Sequence, residues 1–340
     1  MTIGHLNVII QSQPKEIKMN KIIKTIATVG ALALCGCGQS NAEKQKEKCM
    51  NHDTCVIELN NGVKMPAFGL GTYQLSEESG EAYNAVLTAL QNGYRHIDTA
   101  HAYRNEHSVG RAIKDSGIPR DQIWVTSKLW QNEYGKGNTA ASIDRMLNRL
   151  GLEYVDLVYF HQPVGNYIEG WKELEEVVKS GKVRAIGISN FDASDEIFNS
   201  LVESATIKPQ IMQIECHPYA QRKHWQEMLK KNNIAQESWF PLGGRDSKGE
   251  ILRDPVLNEI GAAHGKTAAQ VIIRWHIQES FSVIPGTSNP EHIKENIDVF
   301  DFELSDEEMA KIRALDKEAR YFNMSYEDQV KWFTQWNPED

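Results

Sequence analysis

The chain has 340 residues, 41% apolar and 24% charged, with 37 Lys and Arg against 46 Asp and Glu for a net charge of −9. That composition excludes a disordered tail, a collagenous repeat and a disulfide-stapled miniprotein. An acidic balance also argues against a nucleic-acid partner, whose phosphates call for a basic face.

The charge is split along the chain. Residues 1–55 hold seven Lys against four acids, a net +3, so the remainder carries 30 basic against 42 acidic side chains, a net −12. From Met19 a short basic stretch, Asn20-Lys21-Ile22-Ile23-Lys24, runs into the apolar segment Thr25 to Leu34. This order is that of a secretory signal, and the apolar run falls short of the ~20 residues a membrane-spanning helix needs. The run ends in Leu34-Cys35-Gly36-Cys37, which resembles the lipobox of bacterial lipoproteins and implies Cys37 as an acylated anchor. Three regions are therefore expected: a signal-like segment over 1–37, a polar tether over 38–54 and a folded body over 55–340. The expected location is the membrane, through that anchor alone, or the periplasm. If Met19 is not the start of an export signal, the same residues read as a cytoplasmic extension. Cys49 and Cys55 stand close enough to close a small loop in an oxidising compartment. The cysteines lack zinc-ligand spacing, so no metal is expected.

After Cys55, Val56-Ile57-Glu58-Leu59 turns through Asn61-Gly62 into Val63-Lys64-Met65, a hairpin signal. Short apolar runs then alternate with amphipathic stretches. Strands are expected over 68–72, 95–98, 123–128, 155–161, 185–189, 211–215, 234–238 and 282–285. Helices are expected over 77–92, 106–116, 139–150, 171–180, 222–231 and 267–278, with additional ones at 254–264 and 305–315. Eight strand-then-helix units suit an α/β fold of the closed (β/α)8 TIM-barrel type, preceded by an N-terminal β-hairpin. No Gly-x-Gly-x-x-Gly opens a helix after a strand, which disfavours an open dinucleotide-binding sheet.

In such a barrel the chemistry gathers where the strands end. The polar residues there are Asp98, Lys128, His161, Ser189 with Asn190, Gln213 with Glu215, and Ser238. A lysine closing an apolar strand is costly to bury without a counter-ion, and Asp98 is the counter-ion in the same ring. On these residues alone, a salt bridge at the barrel mouth with no chemistry is an equally physical outcome.

Six ordered motifs resemble the aldo-keto reductases: Gly93 to Glu106 (GYRHIDTAHAYRNE), Ser127 to Trp130, Phe160-His161-Gln162-Pro163, Gly187 to Phe191, Gln213 to Pro218, and Ile284 to Thr287 with Glu295-Asn296. The His-Gln-Pro form resembles a bacterial branch that includes 2,5-diketogluconate and methylglyoxal reductases. The resemblance covers about residues 55–335. It implies reduction of aldehydes or ketones by NADPH, with NADH or dual use as the alternative, and a catalytic tetrad of Tyr103, Asp98, Lys128 and His161. Tyr103 would protonate the oxygen that hydride leaves negative. Lys128 would lower a phenol pKa that is otherwise near 10, Asp98 would hold Lys128, and His161 would orient the carbonyl. An alternative from another class is a non-catalytic, cofactor-binding or redox-sensing subunit. The intact tetrad speaks against it.

The resemblance implies further that Ser189, Asn190 and Gln213 fix the nicotinamide carboxamide and that Trp239 stacks on the ring. Without the family, Trp239 reads as a packed core aromatic. Gly71, Thr72, Leu242, Thr287, Ser288, His292, Glu295 and Asn296 complete the implied cofactor contacts. Gly286 and His292 stand where the family carries two cations for the 2′-phosphate, so a phosphate-binding charge would have to come from elsewhere, such as Arg245 or Lys294. Tyr73, Trp130, His161 and Gln162 are the expected substrate walls. Phe240 stands where the family has Ser and removes a hydroxyl from the pyrophosphate side. A polar and aromatic cleft suits small oxygenated carbonyls such as keto-sugars. The only expected partner is that small molecule, with the chain a monomer.

Overall fold

Strands β5 (Trp124–Leu129) and β6 (Val155–Phe160) are buried at every position. Parallel strands covered by helices on the outside and packed on the inside have no solvent face, so they read as continuous apolar runs. The computed structural model describes residues 49–245 and 247–339, which fall within one compact unit, Gln45–Asp340. The signal-like segment with Cys37, and the tether up to residue 48, lie outside the described residues.

Eight parallel strands follow one another around the sheet: β3 (Leu70–Gly71), β4 (His96–Asp98), β5, β6, β7 (Val183–Ser189), β8 (Ile211–Glu215), β9 (Ala235–Trp239) and β10 (Ser282–Val283). The ends of the sheet meet. Phe68 bridges Val283 in parallel, the Gly69 amide donates to the Val283 carbonyl at 3.0 Å and the Gly71 amide to the Pro285 carbonyl at 3.2 Å. The (β/α)8 barrel expected from the sequence is therefore closed. Its two closing strands are shorter than expected because bridging contacts replace the regular ladder there. At this seam the backbones approach so closely that a Cβ on Gly71 would stand 2.8 Å from the Ile284 carbonyl oxygen, and one on Gly286 2.9 Å from that of Gly71.

The helices pack their apolar stripes onto the sheet. Helices α1 (Glu81–Gln91) and α2 (Glu106–Asp115) precede α3 (Thr139–Leu150), which buries Thr139, Ser142, Ile143, Met146, Leu147 and Leu150, a three-and-four spacing that makes one face. Gly151 ends it at φ +64°, a left-handed cap that favours glycine. Helix α4 (Tyr167–Lys179) begins a turn earlier than expected, and α5 (Asp195–Ser204), capped by the Ser194 hydroxyl, was not expected. Next come α6 (Lys223–Lys231), α7 (Pro255–His264) and α8 (Ala268–Gln278), the last opened by a Thr267/Gln270 capping box. Helix α9 (Pro290–Ile297) buries only Ile293 and Asn296, too few for a sequence period. Helices α10 (Asp306–Arg313) and α11 (Tyr326–Gln335) follow the barrel. No described helix is long and apolar enough to cross a membrane.

The hairpin, β1 (Val56–Glu58) with β2 (Lys64–Pro66), is antiparallel as expected. Asn60 donates to the carbonyls of Pro209 and Asn233, and Asn61 to that of Arg184. These acceptors precede or open β8, β9 and β7, so the hairpin covers the N-terminal mouth of the barrel. Cys49–Thr54, expected in the tether, packs there too. Cys49 and Cys55 are joined by a disulfide, the buried Arg274 donates to the Cys49 carbonyl at 2.7 Å, and His52 lies edge-on to Phe300. The opposite mouth is left for the site.

Two wholly buried histidines tie the fold to pH. Burial pushes His96 and His276 down to about 4 from an unfolded value near 6.5. Between those values the unfolded chain binds more protons than the folded one, so stability is complete above pH 6.5 and falls as pH drops toward 4. The expected result is a Tm that declines across this window by calorimetry, with a shallower decline in His276→Gln. An equal slope in the variant would remove His276 from this account.

Candidate active site

Parallel register sets Asp98 beside Thr126 on β5, and Lys128 beside Tyr159 on β6, so both charged groups lie inside the barrel at its C-terminal end. The Lys128 ammonium donates to Asp98 Oδ1 at 2.5 Å and to the Thr99 carbonyl at 2.9 Å, with both side chains buried. Burial pushes the Lys128 ammonium down while Asp98 pulls it up, and burial pushes Asp98 up while Lys128 pulls it down. Burial outweighs the partner in both, so Lys128 lies below its usual value and Asp98 above, with the ion pair opposing each shift.

Tyr103 closes a short 3-10 turn, His101–Tyr103, after which Arg104 takes a left-handed conformation at φ 55°. Asn105 then anchors the chain by donating to the carbonyls of Thr72 and Leu75 and accepting from the Thr99 hydroxyl at 2.7 Å. The turn brings the Tyr103 ring to 4.9 Å from the Lys128 ammonium and 5.5 Å from the His161 ring, which it meets edge-on. His161 lies in turn 5.2 Å from Trp130. All four members of the expected tetrad therefore meet at one point.

Their electrostatics differ from expectation in one respect. Lys128 was expected to lower the Tyr103 phenol. Instead burial, then the negative charges of Asp98 and Glu237, hold it well above its usual range. The phenol is therefore protonated at neutral pH and able to donate. His161 is held well below its usual value by burial and by Lys128, so it is a neutral imidazole. Its Nδ1 is buried without a hydrogen-bond partner among the described residues.

The residues expected around a nicotinamide gather beside the tetrad. Asn190, left-handed at φ 63°, donates to the His161 carbonyl and the Ser189 hydroxyl and accepts from the Trp239 indole at 3.0 Å. Trp239 is half-buried, not sealed in the core. Gln213 donates its amide to Asp98 Oδ2 at 2.8 Å and Glu237 Oε1 at 2.6 Å, and no described residue donates to its oxygen. The Thr72 hydroxyl is bound to the Asp98 carbonyl, and Leu242 is half-buried.

The residues expected at the adenosine end stand apart, on the loop after β10 and on α9. Gly286, Ser288 and His292 are exposed there and Asn296 is buried. The Glu295 carboxylate accepts from Thr267 at 2.5 Å, and Lys294 is paired with Glu291 at 3.0 Å. Arg245 is exposed. A Cβ at Gly286 would stand 2.9 Å from the Gly71 carbonyl oxygen at the barrel seam.

Tyr73, half exposed, lies 5.1 Å from Tyr103, and Gln162 is buried beside His161. Sequence reasoning missed the C-terminal cover. The Trp130 indole donates to the Trp336 carbonyl at 2.9 Å, Gln131 to that of Phe333, and the Tyr326 hydroxyl to that of Pro163. The aromatic density of Trp332, Phe333 and Trp336 was the available signal. Glu215, expected among the strand-end polar groups, does not face the tetrad. It accepts from His217, Arg320 and the amides of Tyr321 and Phe322, fastening the C-terminal stretch to the barrel. Glu237 was missed altogether.

Residues 67–317 match the model of the aldo/keto reductase family. A 9,11-endoperoxide prostaglandin H2 reductase of Trypanosoma cruzi is 42% identical over 272 residues, 80% of this chain and 95% of that one. A glyoxal reductase of Bacillus subtilis is 43% identical over 266 residues, 78% of this chain and 94% of that one. Among solved structures, a Bombyx mori aldo-keto reductase in complex with NADP is 31% identical with a TM-score of 0.74, across 81% of this chain and 96% of that one.

Removing the ammonium leaves Asp98 buried without its counter-ion. Lys128→Met is expected to lose about 3–5 kcal/mol of stability, the usual result of breaking a buried pair. Denaturant unfolding measures it, and a loss below 1 kcal/mol would mean that solvent or another cation compensates Asp98.

Proposed function

The chain belongs to the aldo/keto reductase family, and from that premise we propose that it reduces small oxygenated aldehydes and ketones, with NADPH as reductant and Tyr103 as proton donor. The observation that carries this reading is the convergence of Tyr103, Lys128, Asp98 and His161 at the C-terminal mouth of the barrel. The nicotinamide side fits the residues present. Gln213 has an unengaged amide oxygen to accept from a carboxamide, Ser189 and Asn190 lie beside it, and Trp239 offers a flat apolar face.

NADPH supplies the hydride. The protein's part is to receive the negative charge that hydride transfer places on the substrate oxygen. Neutral His161 donates a hydrogen bond to that oxygen and fixes its approach. Tyr103 then gives its proton. The phenol is a poor acid in this setting, but an alkoxide is a stronger base than a phenolate, so the proton moves only once the oxygen has become basic. The Lys128 ammonium near the ring stabilises the tyrosinate left behind, and Asp98 prevents it from turning away. A bound alcohol meets the same groups in reverse, so the arrangement supports oxidation too.

The adenosine end supports phosphate binding through the Thr287 and Ser288 hydroxyls, with Arg245 or Lys294 as the supplementary cation. With Gly286 and His292 in place of two cations, the preference for NADPH over NADH is expected to be modest. Comparing KM for the two at equal ionic strength checks this, and equal values would remove the preference. The buried Gln162 and the aromatic Tyr73 and Trp130 favour compact polar carbonyls, such as dicarbonyls and keto-sugars, and this supports the His-Gln-Pro branch.

The export reading is also proposed. Cys37 would anchor the enzyme at a membrane surface, and the Cys49–Cys55 disulfide supports an oxidising compartment. Partition into the Triton X-114 detergent phase, abolished by Cys37→Ser, is the expected behaviour. Aqueous partition of both forms would refute the anchor.

The mechanism is tested by NADPH consumption across a panel of aldehydes, dicarbonyls and keto-sugars. Tyr103→Phe is expected to lose turnover by at least ~10³-fold, at the upper range for general acid catalysis, while NADPH still quenches tryptophan fluorescence with an unchanged Kd. Turnover equal to the parent would overturn the role of Tyr103.

A further inference from the structure

Glu237 is a wholly buried carboxylate that the mechanism above does not use. It lies on β9 two residues before Trp239, and both side chains therefore belong to the inward-facing set of that strand. Register places it level with Gln213 on β8 and Ser282 on β10. Its Oε1 accepts from the Gln213 amide at 2.6 Å and from the Tyr159 hydroxyl at 3.1 Å, and its Oε2 from the Ser282 hydroxyl at 2.7 Å. His96 stands 3.9 Å from Oε2.

A side-chain amide has one donating and one accepting end. Gln213 puts its nitrogen between two carboxylates, Asp98 Oδ2 and Glu237 Oε1, and so uses both N–H groups on them. With only one carboxylate, rotation of the amide about its terminal bond would give up one hydrogen bond and set the oxygen against one acceptor. With two on opposite sides, rotation would set the amide oxygen against an oxygen on each side. The orientation is thereby determined, and the oxygen is left for an incoming donor.

We propose that Glu237 is a positioning residue for cofactor binding, which with Asp98 clamps the Gln213 nitrogen so that the amide oxygen meets the nicotinamide carboxamide. The proposal rests on the reading of Gln213 as a carboxamide contact. Burial pushes Glu237 toward its protonated form. The clamp survives that change, because a proton on Oε2, shared with Ser282, leaves Oε1 an acceptor. Glu237 acts through Gln213 and does not touch the cofactor, so its effect on cofactor binding falls on the nicotinamide half alone.

That selectivity separates positioning from general structural support. Dissociation constants for NADPH and for 2′,5′-ADP, which has the adenosine end and no nicotinamide, are measured by calorimetry on the full chain. Glu237→Met keeps the volume and removes both acceptors; Glu237→Gln keeps an acceptor and removes the charge. The expected result is NADPH weakened about 10-fold in Glu237→Met, 2′,5′-ADP unchanged, and NADPH affinity restored to within about 3-fold in Glu237→Gln. One lost hydrogen bond with an amide left misoriented is of this size. NADPH unchanged in Glu237→Met overturns the proposal, as does equal weakening of both ligands, which marks a structural role. Glu237→Gln as weak as Glu237→Met also overturns it, because charge and not geometry would then matter. Should Glu237→Met not fold, Glu237→Gln decides with Gln213→Glu, which substitutes an oxygen for the clamped nitrogen and is expected to weaken NADPH by the same factor. Gln213→Ala is the control on the premise. If it binds NADPH as the parent does, the reading of Gln213 fails, whatever Glu237 does.

Discussion

Everything at the active mouth depends on a single buried cation. The Lys128 ammonium has no access to water, and Asp98 and the Thr99 carbonyl oppose the loss of charge that its burial favours. A pair of this kind adds little to stability against well-packed apolar groups, and its removal by halves is costly. Its value is positional. The ammonium lies 4.9 Å from the centre of the Tyr103 ring, and the Asp98 carboxylate that holds it also accepts from Gln213. One ion pair therefore orients the proposed proton donor on one side and the proposed cofactor anchor on the other. Burial, and after it the charge of Asp98, keeps the Tyr103 phenol protonated.

The closing seam of the barrel imposes the second constraint. A closed sheet must bring its first and last strands together, and here the contact is made through glycine on both sides, at Gly71 and Gly286. A side chain at 286 would need the Gly71 carbonyl to move.

Much of this was legible in the sequence, for physical reasons. Doubly buried parallel strands give long apolar runs, clearest in β5 and β6, and polar residues ending such strands marked Asp98, Lys128, His161 and Gln213. Helix α9 was not found because it buries too few apolar residues to make a period, and α5 was not found although Phe198, Leu201 and Val202 share one face. Glu237 escaped notice because Gln236-Glu237-Ser238-Trp239 reads as an ordinary polar edge, although every residue from Gln236 to Ser238 is buried. Only the closed barrel, with β10 beside β9, gives that carboxylate its partner in Ser282. Asn105 was hidden for a similar reason. Its partners, Thr72 and Leu75, come from a loop thirty residues earlier.

The C-terminal stretch shows how a rigid barrel acquires a shaped mouth without altering its strands. Glu215, at the end of β8, accepts from the amides of Tyr321 and Phe322 and from Arg320, and so fixes where the chain returns over the barrel. Phe322 then lies 6.0 Å from Trp239, and further on Trp336 lies 5.3 Å from Trp130, which itself meets His161. The aromatic wall on the substrate side is therefore continuous from a catalytic-face histidine to the last helix, while Gln162 and Tyr73 keep polar atoms within it. These contacts come from residues far apart in the chain and independent of the barrel's own packing. Changes in the terminal segment can thus reshape the mouth while the ion pair, the phenol and the imidazole keep their places.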